Sequence, residues 1–77
     1  MIGKENINPI LITLGKRIRA LRKEQGLSQE KFSQMAEIDR SYLISIEHGE
    51  RKVSIDILAR ISNGLGMTLS ELFEGIG

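Results

Sequence analysis

The sequence predicts an all-α domain of five short helices, and three observations predict it. Apolar residues recur every three or four positions with no strand-like alternation, N-cap signals precede each apolar run, and glycines fall at 26, 49 and 64/66 where runs end. At 77 residues the chain holds one domain, spanning 1–77. With 40% hydrophobic and 27% charged residues it has the balance of a folded protein rather than a disordered one.

The first helix opens at Asn8-Pro9, an N-cap followed by a proline at the position where its missing N–H costs nothing. Leu11, Leu14, Ile18 and Leu21 then mark its buried stripe until Gly26 stops it. The next four helices open alike: an apolar residue, a capping residue, and an apolar residue four positions into the helix. The sets are Leu27/Ser28/Phe32, Ile38/Asp39/Leu43, Val53/Ser54/Leu58 and Met67/Thr68/Leu72, which read as caps with hydrophobic staples. Thr68 with Glu71 adds a capping box. Helices of two to three turns are unstable alone in water, so caps worth about 1 kcal/mol each are a substantial support. The expected core is aliphatic: Leu14, Ile18, Leu21, Leu27, Phe32, Met35, Ala36, Ile38, Leu43, Ile46, Ile55, Leu58, Ala59, Ile61 and Leu65.

Between Leu27 and Gly49 two short helices meet at a tight turn, the layout of a helix-turn-helix unit over residues 28–48. Its inward set is Phe32, Ala36, Ile38, Leu43 and Ile46, which leaves Arg40, Ser41, Ile44 and Ser45 on the outer face of the second helix. Arginine can bond guanine O6 and N7 together, short serines allow close approach, and an isoleucine can touch a thymine methyl. These four are the expected base contacts. Gln29, at the N-terminus of the first of the two helices, is placed for a phosphate, and Tyr42, Arg17, Arg51 and Lys52 are further phosphate candidates. Two readings stay open for several of them: Tyr42 either bonds a phosphate or covers the helix flank, and His48 either caps the helix C-terminus or contacts phosphate.

Charge is uneven although its sum is small. Formal net charge is +1, yet Lys16 to Lys23 holds five basic residues and no acid, while beyond Arg60 there are two glutamates and no base. The basic run is either a solvated helix face or a phosphate-facing one. Cysteine is absent and histidine occurs once, so neither a thiolate metal site nor an acid-base constellation is available; no metal, cofactor or enzymatic activity is expected. No run of about 18 apolar residues and no basic leader with an apolar stretch is present, so no membrane span or secretory signal is expected and the cytoplasm is the default compartment.

Over Leu14 to Phe73, through LGKRIRALRKEQGLSQEKF and IDRSYLISIEHGERKVSIDILARISNGLGM, the chain resembles the lambda repressor-like helix-turn-helix regulators of Cro/C1 or xenobiotic-response-element type. The resemblance implies a compact five-helix DNA-binding fold, a phosphate contact at Gln29, base-facing Arg40, Ser41 and Ser45, and an ion pair of Arg22 with Glu47. Two residues depart from the pattern: Ser33 stands where alanine is common, and Glu37 where glycine is. The turn at 37 calls for a left-handed residue, so Glu37 is expected to be strained by about 1 kcal/mol. Within this family DRSYLISIEHGERKVSIDIL is similar to the controller proteins of bacterial restriction-modification systems. That similarity implies a homodimer that regulates transcription from operator DNA.

A monomer places one helix in one major groove, so pairing on inverted half-sites is expected. The dimer surface is assigned to about 65–77, through Leu65, Met67, Leu69, Leu72, Phe73 and Ile76; the alternative is that these pack back on their own subunit. The expected partners are double-stranded DNA, a second copy and RNA polymerase, the last through Glu50 or the Glu71/Glu74 face. A phage-type repressor, or an antitoxin acting on a protein partner, is the alternative reading.

Overall fold

Every helix opens where its cap signal stands. The computed structural model describes residues 8–76, so the expected unit of 1–77 extends at both ends beyond them. The described residues form α1 (Pro9–Glu24), α2 (Gln29–Ala36), α3 (Arg40–Glu47), α4 (Ile55–Leu65) and α5 (Leu69–Leu72), with no strand among them. Asn8 accepts from the N–H of Ile10 at 2.9 Å, Ser28 from Lys31 at 3.0 Å and Ser54 from Ile57 at 3.2 Å. Thr68 and Glu71 complete the capping box, each side chain accepting from the other's backbone N–H. Asp39 differs: it holds the N-cap position, but its carboxylate accepts the Ser41 hydroxyl at 3.3 Å and caps no N–H.

The helix ends explain the short connections. After α1, α2, α3 and α4 a residue in the left-handed region turns the chain: Gly26, Glu37, Gly49 and Gly66, with φ of 72°, 59°, 72° and 73°. At each, the next residue's N–H returns to the last turn, as Leu27 to Arg22, Ile38 to Ser33, Glu50 to Ser45 and Met67 to Ser62. Leu27, Ile38 and Met67 thus close one helix, and each is also the staple residue that opens the next. The glycine pair at 64/66 resolves into two roles, since Gly64 lies inside α4, where a Cβ would stand 2.9 Å from Phe32 Cε1.

Glu37 adopts the left-handed conformation expected of it, at φ 59° and ψ 45°. Replacing it by glycine should raise stability by about 0.5 to 1 kcal/mol, the relief of about 1 to 2 kcal/mol of steric cost less the extra freedom of an unfolded glycine. Alanine shares the strain and should give no such gain; urea denaturation of the two variants checks the sign.

α1 packs on α3, α2 on both α3 and α4, and α4 on α5. Phe32, Ile18, Leu43, Ile46, Ile61 and Leu72 are the largest fully buried side chains. Of the expected core residues, Leu21, Leu27, Ile38 and Ala59 are only partly buried, and Met35 and Ile55 are exposed. Met35 is 47% exposed because Phe32, Ser33 and Ala36 take the inward positions of α2. Ile55, the first residue of α4, is 64% exposed, and the inward positions of that helix are Leu58, Ile61, Ser62 and Leu65.

Candidate nucleic-acid interface

α3 is held to α1 and α2 by one buried carboxylate. Glu47, at its last turn, receives Arg22 Nε at 2.7 Å and Nη2 at 3.1 Å, and the Gln29 amide nitrogen at 3.1 Å. The third guanidinium nitrogen of Arg22 donates to the Leu27 carbonyl at 2.7 Å. Arg22 and Glu47 are 6% and 5% exposed, and no buried side-chain nitrogen or oxygen among the described residues lacks a partner. Three helices and the turn into α2 therefore meet on one ion pair. Gln29 is fixed at the N-terminus of α2, where free N–H groups and the positive end of the helix suit an anion.

Close approach of α1 to α3 has its own cause. A Cβ on Gly15 would stand 2.6 Å from the Glu47 carbonyl oxygen and closer still to that of Ile46, so only glycine lets the end of α3 lie on α1. Gly49 repeats the device one turn on, since its Cβ position is 2.7 Å from Ile12 Cα.

With Leu43, Ile46 and Glu47 turned inward, α3 exposes Arg40 and Ser41 and half-exposes Tyr42, Ile44 and Ser45. Ser45 bonds the Tyr42 carbonyl at 2.9 Å, which leaves its hydroxyl oxygen able to accept. Arg51 and Lys52 follow in the exposed loop, and the Arg51 guanidinium carbon lies 5.3 Å from the centre of the Tyr42 ring. His48 is the C-cap of α3, with its backbone N–H on the Ile44 carbonyl and its side chain exposed.

Three expected site residues are placed differently. Arg17 is engaged inside the chain: Nε donates to the Leu72 carbonyl at 2.7 Å and Nη2 to that of Glu71 at 2.8 Å, so it closes the C-terminal end of α5 instead of standing free for a phosphate. Leu65 and Leu72, expected on a dimer surface, are 4% and 0% exposed and belong to their own subunit's core. Their burial follows from the staple of Met67 and Leu72, which folds α5 back on α4. Met67, Leu69, Phe73 and Ile76 remain half-exposed along the same edge. Gly15, and the ring of Tyr42 beneath Arg51, were not singled out by the sequence in these roles.

A glutamine-headed helix and a second helix with a short polar outer face, locked together at a tight turn, define a DNA-binding transcriptional regulator of the helix-turn-helix class. The helix-turn-helix family model matches residues 18–72, and the chain belongs to that family. It is 51% identical over 71 residues to the control protein C.MunI of Mycoplasma sp, covering 91% of this chain and 96% of that protein. Among solved structures it is similar to the restriction-modification controller protein C.AhdI of Aeromonas hydrophila, with a TM-score of 0.80 and 38% identity over 82% of this chain and 96% of that one. It is also similar to the controller C.Esp1396I, solved as a tetramer on its natural 35 base-pair operator, with a TM-score of 0.81 and 30% identity over 87% of this chain and 88% of that one. No helix among the described residues is long and apolar enough to cross a membrane.

Proposed function

We propose that the chain is a restriction-modification controller that binds inverted half-sites upstream of its own operon as a homodimer. The observation that carries this reading is the outer face of α3, free of the core and framed by the N-terminus of α2 and by Arg51 and Lys52. In it Arg40, Ser41, Ile44 and Ser45 read base edges, while Gln29, Tyr42, Arg51 and Lys52 serve the sugar-phosphate backbone and set the register. The half-exposed Met67, Leu69, Phe73 and Ile76 supply apolar surface for the second copy, resting on the buried Leu65 and Leu72. The site of action is the cytoplasm, and repression follows from covering the promoter. Activation calls for a polymerase contact, and exposed Glu50 and Glu74 are the acids free for it, since Glu71 is engaged in the capping box.

Arg40→Ala should lose about 1 to 3 kcal/mol of discrimination at one base pair and leave affinity for unrelated DNA nearly unchanged. Competition binding against single-base operator variants measures this, and an equal loss on all sequences would remove Arg40 from the base-reading set. The broader test is footprinting on DNA immediately upstream of the gene. Protection of two inverted half-sites is the expected pattern; a uniform, salt-sensitive background without protection would refute own-operon control.

A further inference from the structure

We propose that Tyr42 is a positioning residue for Arg51: its ring holds the guanidinium in place against the DNA backbone, and its hydroxyl is not what the phosphate uses. This rests on reading the α3 face as the DNA interface. Tyr42 lies on the flank of α3, half-buried and packed against the core, so its ring is a fixed surface. The Arg51 guanidinium carbon is 5.3 Å from the ring centre, inside the range of about 6 Å over which an aromatic face attracts a cation.

The chain between them delivers this contact. Gly49 turns in the left-handed region, pressed on Ile12 where no Cβ fits, and the Glu50 N–H closes on the Ser45 carbonyl at 3.0 Å. The loop is thereby reversed over the last turn of α3, and Arg51 arrives two residues later on the Tyr42 flank. The attraction is that of a cation for the ring and uses no N–H donor, and none of the Arg51 N–H groups bonds a protein acceptor among the described residues. An arginine held by a ring with its donors unspent is prepared for two-point bonding to a phosphate. Lys52 follows it in the chain and is exposed.

Because phosphate contact is independent of sequence, the test uses a fluorescent duplex of arbitrary sequence, roughly 30 base pairs, at low salt. Tyr42→Phe keeps the ring and should bind within about 2-fold of the parent, whereas Tyr42→Leu should bind about 3- to 10-fold more weakly. Arg51→Ala should weaken binding and lower the salt dependence by about one phosphate. In the Arg51→Ala background, Tyr42→Leu should add nothing further. Thermal melts of every variant separate a binding loss from unfolding, and Tyr42→Met replaces Tyr42→Leu if the latter unfolds. A loss with Tyr42→Phe equal to that with Tyr42→Leu would overturn the proposal in favour of the hydroxyl, and so would additive losses of Tyr42→Leu and Arg51→Ala. Should Arg51→Ala bind normally while Lys52→Ala does not, the proposal fails and the DNA interface stands; if the parent protein binds no duplex at all, the interface fails with it.

Discussion

Arg22→Met is expected to destabilise the protein by about 3 to 5 kcal/mol, because it leaves the Glu47 carboxylate buried and charged without its cation. Methionine keeps most of the volume, so the loss measures charge and hydrogen bonding more than a cavity. A domain of this size has about 5 to 15 kcal/mol in hand, so the variant stands near the edge of folding. The double variant Arg22→Met, Glu47→Leu should recover most of the loss, since an apolar pair of similar volume carries no stranded charge. Chemical denaturation of the parent, both single variants and the double one closes the cycle. Equal and additive losses would show that the two side chains contribute separately. The recovered protein should still bind DNA less well than the parent, because Gln29, proposed above as a phosphate contact, loses the carboxylate that fixes its amide.

Gly15→Ala is expected to cost about 3 kcal/mol, the upper part of the range for overpacking. The three atoms nearest to its Cβ position are backbone, from the carbonyl groups of Ile46 and Glu47, so the closest clashes cannot be relieved by rotating a side chain. Relief has to come from moving the end of α3 off α1. Operator affinity should therefore fall by more than the population of unfolded protein explains, and binding measured well below the melting temperature separates the two effects. Normal affinity in a destabilised Gly15→Ala protein would mean that α1 yields and α3 stays.

How much was legible in the sequence follows from the range of each interaction. Helix starts were readable because a cap and its staple lie within about five residues of each other, and Ser28, Ser54 and Thr68 bond as their spacing predicts. Asp39 has the same spacing, yet its carboxylate turns to Ser41. The left-handed turn at Glu37 was readable from the family pattern, as was the pairing of Arg22 with Glu47, whose 25-residue separation no local signal spans. Gly15 was not readable: a glycine inside a helix looks like a weakness until the partner that lies on it is known. Leu65 and Leu72 have the composition of an interface, and only the direction in which α5 folds back assigns them to the core. Arg17 read as one more base in a basic run because its acceptors are carbonyls 54 and 55 residues away. The face of α3 was legible since helical spacing alone separates Leu43 and Ile46 from Arg40, Ser41, Ile44 and Ser45.

Leu27, Ile38 and Met67 each belong to two helices, ending one and starting the next. Among the described residues, a reader assembled in this way should have little backbone left to order when it meets DNA, so encounter is not expected to wait on folding. Association is then expected to run at the pace set by diffusion and orientation, and to differ less between good and poor sites than dissociation does. If the face of α3 reads the groove as proposed, operators should be told apart mainly by residence time, by how long the protein stays once that face has been tried against the DNA.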